Sequence, residues 1–154
     1  METDLTPRLL RQQQDHVSPF DHGARGFDDS WWLDTFVRRR TASLLPYSFV
    51  DERDDEVARA LLREGAGFAD LDGAGVEFPF DAIAVDFLEV RTDLLYPRRG
   101  IGTQVVRALE QLHPAITLYA FSEQADEFWR STGWTFMPRR DGSSAYRPLF
   151  ALWR

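Results

Sequence analysis

The 154 residues are 44% hydrophobic and 14% aromatic, which is enough apolar bulk for one globular domain spanning residues 1–154. The net charge of −7 argues against a broad basic face, so we expect no nucleic-acid partner. No run approaches the roughly 20 apolar residues of a membrane span. The chain has no cysteine, which excludes disulfides, thiolate metal sites and a cysteine nucleophile.

The amino-terminal segment, METDLTPRLLRQQQDH, is polar and has no apolar core like that of a signal peptide. We therefore expect a cytoplasmic protein without a membrane partner. His16, His22 and His113 have no partner at helical or hairpin spacing, so we expect no metal.

The first clear helical pattern runs from about Asp28 to Arg40, with acidic residues at its start and arginines at its end. Trp32, Phe36 and Val37 are predicted to share its buried face. The next segment, PYSFVDERDDEVARALL, fits either two strands around an acidic turn or a strand followed by a helix from near Asp54.

The second half of the chain alternates strands with helices. DAIAVDFLEV (residues 81–90) predicts a central strand buried on both faces, and GTQVVRALEQLH predicts a helix with Val105, Val106, Leu109 and Leu112 on one face. AITLYAF predicts a second buried strand, EQADEFWRST a helix that ends at Gly133, and WTFMP and YRPLFALW two closing strands. This order indicates an α/β or α+β sheet domain.

Gly100 and Gly102 lie between the central strand and the first helix of this half. Glycines at a helix start let a phosphate approach the unpaired N–H groups, and Arg98 and Arg99 add positive charge. A Walker loop and a dinucleotide fingerprint are both excluded by spacing. The residues alone leave two interpretations open, a phosphate-binding turn and a tight turn without a ligand.

Two longer stretches extend this pattern, EVRTDLLYPRRGIGTQVVRAL and LYAFSEQADEFWRSTGW. They resemble the GCN5-related N-acetyltransferase (GNAT) family, in which a strand leads to a (Gln/Arg)-x-x-Gly-x-(Gly/Ala) loop and a helix, then to a second strand and an A-x-x-(Phe/Leu)-Tyr-x-x-x-Gly-(Phe/Trp) block. The match spans residues 83–134, about a third of the chain. The resemblance implies a mixed, mostly antiparallel central sheet flanked by helices and splayed between its fourth and fifth strands.

The same resemblance implies acetyl-CoA, or another acyl-CoA, as co-substrate. Its pyrophosphate would lie on the amides from Arg99 to Thr103, its pantetheine arm in the gap between the two strands, and its acyl carbonyl near the amides of Val90 and Arg91. The implied cofactor-binding residues are Val90, Arg91, Arg98, Arg99, Gly100, Ile101, Gly102, Thr103 and Ser122. Glu89 and Glu123 are the candidate catalytic bases, and a surface salt bridge is the alternative role for each.

Two departures from the family pattern bear on activity. Pro97 replaces the usual Gln or Arg of the loop and removes a backbone donor. Trp129 occupies the position of the tyrosine that commonly protonates the leaving thiolate, and an indole N–H is no acid near neutral pH. Ser122, Tyr119, water, or departure of an unprotonated thiolate are the alternatives.

The expected function is transfer of an acetyl group from acetyl-CoA to a primary amine on a small molecule or peptide. Asp28, Asp29, Asp34, Trp31 and Trp32 either attract a cationic amine or form the solvated face of a helix beside buried tryptophans. The alternatives are an acyl-CoA-binding module that has lost turnover, and a phosphate-binding protein unrelated to CoA. A homodimer through the terminal strand is a further possibility.

Overall fold

The computed structural model describes residues 4–10, 16–38, 43–65, 73–95, 100–144 and 146–154. Within these ranges the chain forms three helices, α1 (Asp29–Arg38), α2 (Ile101–Leu112) and α3 (Asp126–Ser131). It also forms seven strands, which are β1 (Thr6–Leu9), β2 (Leu44–Val50), β3 (Glu56–Glu64), β4 (Ile83–Val90), β5 (Leu118–Phe121), β6 (Thr135–Met137) and β7 (Leu149–Leu152).

All seven strands join one sheet in the order β1-β2-β3-β4-β5-β7-β6. The β4–β5 pair is parallel, and the other neighbouring pairs are antiparallel. This confirms the mixed, mostly antiparallel sheet that the family resemblance implied. The ambiguous segment forms the β2–β3 hairpin, so the alternative of a helix from Asp54 is wrong.

Helices cover both faces of the sheet. Apolar side chains of α2 and α3 pack on one face, against residues such as Ala60 and Leu62 of β3. Trp32 and Phe36 of α1 pack on the other face, against Leu61. Neighbouring residues of a strand point to opposite faces, so β3 supports helices on both sides.

Two predicted core positions are exposed. Val37 is 59% exposed and Leu112 is 40% exposed, because each lies near the carboxyl end of its helix, beyond the packed sheet. Thr35 joins Trp32 and Phe36 on the buried face of α1, and Ala108 joins Val105, Val106 and Leu109 on that of α2.

The central strand β4 is buried only in its first half. Ile83, Ala84 and Val85 are buried, whereas residues 86–90 are half-buried. β4 pairs with β5 only at Ile83 with Leu118 and at Ala84 with Tyr119. The prediction of a central strand buried on both faces therefore holds for its first half only, because its parallel neighbour diverges from it. None of the described helices is both long and apolar enough to cross a membrane.

Candidate cofactor cleft

A cleft of about 1450 Å³ opens where β4 and β5 diverge. Its walls are formed by the two strands, by α2 and α3, and by the segment after β4. Its lining includes Val85, Asp86, Phe87, Leu88, Val90, Leu94, Leu95, Gly100, Ile101, Gly102, Thr103, Phe121, Glu123, Phe128, Trp129 and Arg147. The structure thus brings five of the predicted cofactor residues together, Val90 and the run from Gly100 to Thr103.

The backbone of β4 presents polar groups to this gap. The Arg91 N–H donates to the Val57 carbonyl at 2.9 Å, and Val90 is opposite Ala58 in the adjoining pair. Hydrogen-bonded and non-hydrogen-bonded pairs alternate in an antiparallel ladder, so the N–H and C=O of Val90 turn away from β3 and towards β5. Leu88, two residues earlier and opposite Ala60, has the same orientation. β5 has already diverged at this level, which leaves these groups facing the cleft.

A β-bulge sets this register. Leu61 is opposite Phe87 and Leu62 is opposite Val85, so Asp86 is an extra residue in β4. The carboxylate of Asp86 accepts a hydrogen bond from the Arg63 Nε at 3.0 Å. If Asp86 instead took a regular paired position in the strand, the side-chain alternation after it would be reversed, and Leu88 and Val90 would point away from α2.

The amino terminus of α2 lies at the mouth of the cleft. Gly100 caps it with φ 70°, a left-handed conformation that favours glycine, and no side chain caps the helix at that residue. The first intrahelical bond runs from the Gln104 N–H to the Gly100 carbonyl at 3.0 Å. The N–H groups of Ile101, Gly102 and Thr103 therefore have no intrahelical acceptor.

The two helices at the cleft differ in charge. The first turn of α2 contains no acidic residue, whereas that of α3 contains Asp126 and Glu127, which complement its own dipole. Four described carboxylates and one arginine, Arg147, line the cleft. An anion therefore fits at α2 rather than at α3. Arg98 and Arg99, the predicted phosphate partners, and Pro97 lie outside the described residues.

Gly102 allows close packing at this helix start. A Cβ atom on Gly102 would lie 3.0 Å from the Phe128 Cε1 and 3.8 Å from the Val90 Cγ2. A larger side chain would therefore enter the cleft between α3 and β4. Sequence reasoning missed Phe128 and Leu88 as cleft residues, because only the strand register and the packing of α3 place them there.

Glu89 is held by α1 on the face opposite α2. Its carboxylate accepts the Trp32 Nε1–H at 2.8 Å and the Asp28 N–H at 3.0 Å. The Asp28 carboxylate in turn accepts the Trp31 N–H at 3.1 Å. These bonds fix the position of Glu89 more tightly than the predicted surface salt bridge would.

Glu123, the other candidate base, is 79% exposed at the rim of the cleft, 4.0 Å from Arg147. Ser122 is not at the cleft surface. Its hydroxyl is buried and accepts the Ala125 N–H at 3.1 Å, which closes the turn before α3. Among the described residues, no group of three or more His, Asp or Glu side chains could hold a metal ion.

Trp129 forms part of the cleft wall and is 6% exposed. Its ring packs at 4.8 Å from Trp134 and 5.1 Å from Phe128. Tyr119, considered above as a replacement acid, is fully buried and packs in a separate cluster with Phe78. Neither Tyr119 nor Ser122 therefore reaches the cleft surface.

Arg91 points away from the cleft. Its N–H is used by the sheet, as described above, and its guanidinium Nη1 donates to the Glu56 carbonyl at 3.0 Å. The side chain lines a second cavity of about 1000 Å³ together with Gly26 and Asp93. Val90, rather than Arg91, therefore offers an amide to the cleft.

No protein-family model and no curated protein matches the chain. Solved structures do match. AtaTR bound with AcCoA has a TM-score of 0.58 at 16% identity, with 97% of this chain and 92% of that chain covered. The Bacillus subtilis N-acetyltransferase YlbP in complex with coenzyme A has a TM-score of 0.57 at 15% identity, with 99% and 97% covered. Tetrahymena GCN5 has a TM-score of 0.50 at 13% identity, with 81% and 75% covered.

These likenesses extend over nearly the whole chain for AtaTR and YlbP. The chain therefore has the GNAT acetyltransferase fold.

Proposed function

We propose that the protein is a GNAT-family acetyltransferase that moves an acetyl group from acetyl-CoA to a primary amine. The observation that carries this proposal is the cleft between β4 and β5, which has free backbone groups along one wall and the uncapped start of α2 at its mouth. YlbP, which has the same fold, is an N-acetyltransferase in complex with coenzyme A.

The proposed binding mode uses two sets of backbone donors. The N–H groups of Ile101, Gly102 and Thr103 donate to the pyrophosphate oxygens, assisted by Arg98 and Arg99. Leu88 offers its outward N–H and C=O groups, and Val90 its outward C=O group, to the amides of the pantetheine arm. The N–H of Val90, the last residue of β4, stabilises the negative charge that develops on the acyl oxygen.

The proposed acceptor side is the face covered by α1. Phe87 lines the cleft and stacks on Trp31, with ring centroids 3.7 Å apart. Glu89 is two residues from Phe87 and is fixed by α1. In the proposed step Glu89 accepts one proton from the protonated amine, and the neutral amine nitrogen attacks the thioester carbon. The C–N bond forms, the C–S bond breaks and the second proton of the nitrogen passes to solvent. The thiolate leaves without a proton from Trp129.

Thermal unfolding with and without acetyl-CoA tests the binding. A ligand at about 100 times its Kd stabilises a protein by roughly 2.7 kcal/mol, which is several degrees of Tm for a chain of this size. Gly102→Glu should abolish the shift because its side chain would occupy the cleft beside Phe128. Gly75→Glu is the matched control, since a Cβ there would meet only the Pro138 carbonyl, at 4.0 Å. Absence of a shift in the unmutated protein would refute the proposal.

An acyl-CoA-binding module without turnover is the second candidate, and Trp129 favours it, because the cleft wall has an indole where the family commonly has an acid. The two functions differ in the release of free CoA thiol when a panel of primary amines is added. Release above the rate without an amine supports the transferase. Stabilisation by acetyl-CoA without release for any amine supports the module.

A further inference from the structure

Arg91 organises the turn that follows β4. Its Nε and Nη2 donate to the two carboxylate oxygens of Asp93 at 2.7 and 3.3 Å, and its Nη1 donates to the Glu56 carbonyl at 3.0 Å. The side chain is 24% exposed. One guanidinium thus joins the start of β3 to the 3-10 turn at Thr92–Leu94. The hydrogen bond to Asp93 raises the pKa of Arg91 above its ordinary value, so this bridge stays charged.

The amino-terminal segment is held at the same point. The Thr92 N–H and hydroxyl donate to the Gly26 carbonyl at 3.0 and 2.8 Å. Gly26 has φ 88°, and a Cβ atom there would lie 2.6 Å from the Arg91 Cγ. Glycine therefore lets the Arg91 side chain lie directly on the backbone of this segment. We call Gly26, Glu56, Arg91 and Asp93 the arginine clamp.

The clamp lies outside the cofactor cleft, but the turn that it holds forms part of the cleft wall. Leu94 and Leu95 line the cleft, and Leu94 also packs against the main core. The Leu94 N–H donates to the Arg91 carbonyl at 2.9 Å. Gly100, the cap of α2, follows five residues after Leu95. The clamp therefore holds the turn whose Leu94 and Leu95 side chains form part of the cleft wall.

We infer that Arg91 is a positioning residue for acyl-CoA, which holds the Leu94–Leu95 wall in the binding-competent arrangement without touching the ligand. This inference rests on the proposed function. It assigns Arg91 an indirect role in place of the direct contact that the sequence resemblance implied.

The first test measures binding by calorimetry and the exchange of backbone amides without ligand. Arg91→Ala should weaken acetyl-CoA binding about tenfold, since small displacements of a positioning wall are costly. With an active amine, KM for acetyl-CoA should rise and kcat should change little. The Leu94 and Leu95 amides should exchange faster in the unliganded variant, because their turn has lost its tie to β3.

A double-mutant cycle separates the clamp from general loss of stability. Gly26→Ala should weaken binding partly through its clash with the Arg91 Cγ. The same change in the Arg91→Ala background should weaken binding less, because that clash is gone while the strain of the positive φ and the contact with the Thr92 N at 3.3 Å remain. Arg139→Ala is the matched control. Arg139 donates through its Nε and Nη2 to the carboxylate of Asp141, two residues later, just as Arg91 does to Asp93, and the Arg139 side chain is about as exposed. Arg139 lies beyond β6, at the far edge of the sheet.

The inference would be overturned if Arg91→Ala bound acetyl-CoA with unchanged affinity, or if Arg91→Ala and Arg139→Ala lost the same amount of affinity. The proposed binding would still stand in either case, provided that the unmutated protein binds acetyl-CoA. Unchanged exchange at Leu94 and Leu95 would also overturn it, whatever the ligand. Failure of the unmutated protein to bind acetyl-CoA would overturn both the proposed function and the positioning role.

Discussion

The two candidate bases differ in how firmly they are held. Glu89 is fixed by Trp32 and Asp28, whereas Glu123 is exposed beside Arg147. Glu89→Gln keeps the size of the side chain and its acceptor oxygen but removes the basic carboxylate. We expect kcat to fall about 10²- to 10⁴-fold, with little change in the Kd for acetyl-CoA.

Glu123→Gln should change kcat less than about threefold, because an exposed pair at this distance contributes little. Thiol release and calorimetry measure the two quantities. A larger fall in kcat for Glu123→Gln than for Glu89→Gln would instead identify Glu123, at the rim of the cleft, as the base.

The sequence could place Val90 and the run from Gly100 to Thr103 in one site, because a strand, a glycine turn and a helix are local features. It could not place Arg91 correctly. Whether a residue at the end of β4 faces the cleft depends on the bulge at Asp86 and on the pairing with β3, and both are set by contacts distant in the sequence. The buried position of Ser122 depends in the same way on the turn that it closes.

At the level of elements, one buried arginine joins β3 to the amino-terminal segment and α1. The Arg59 side chain is fully buried, donates to Glu56 at 2.9 Å and to the Asp21 carbonyl at 2.9 Å, and lies 4.2 Å from the Phe27 ring centroid. Arg59→Ala should lower the free energy of unfolding by about 3–5 kcal/mol, because it leaves a partly buried carboxylate without its partner. Urea unfolding measures this loss.

Arg8→Ala provides the comparison at the neighbouring strand. Arg8 pairs with Asp54, and their side chains are 49% and 70% exposed, so its removal should cost less than about 1 kcal/mol. Similar losses for Arg8→Ala and Arg59→Ala would contradict the role of Arg59 as the buried tie between these elements.

Most elements were visible in the sequence because their patterns are strong, such as the helical periodicity of α2 and the continuous apolar run of β4. β1 was not predicted, because TPRL has no apolar alternation, and the strand is formed by pairing with β2. The β2–β3 segment fitted two patterns, and the hairpin forms because its acidic turn lets both strands bury apolar side chains in the sheet. Where the local sequence fits both a helix and a strand, pairing with distant strands thus determines which of the two forms.

At the scale of the whole molecule, the gap that opens where β4 and β5 diverge connects the two opposite faces of the sheet. Phe87 belongs to the cluster around α1 and also lines the cleft beside α2. The start of α2 supplies donors on one side, and Glu89 with the aromatic rings supplies a fixed carboxylate on the other. A nucleophile and an acyl donor can therefore approach from separate faces, which is the geometry that direct transfer between two substrates requires.

Stability of the whole fold should depend on pH through His113, at the carboxyl end of α2. Burial lowers the pKa of His113 below its ordinary value of 6.5, and its Nε2 is buried without a hydrogen-bond partner. The unfolded chain therefore binds more protons than the folded chain below about pH 6.5, so the free energy of unfolding should fall as the pH falls through that value. His113→Gln should reduce this slope, as measured by urea unfolding between about pH 5 and 8. An unchanged slope in the variant would assign the pH dependence to other groups, and a steeper slope would mean that folding favours the protonated imidazole.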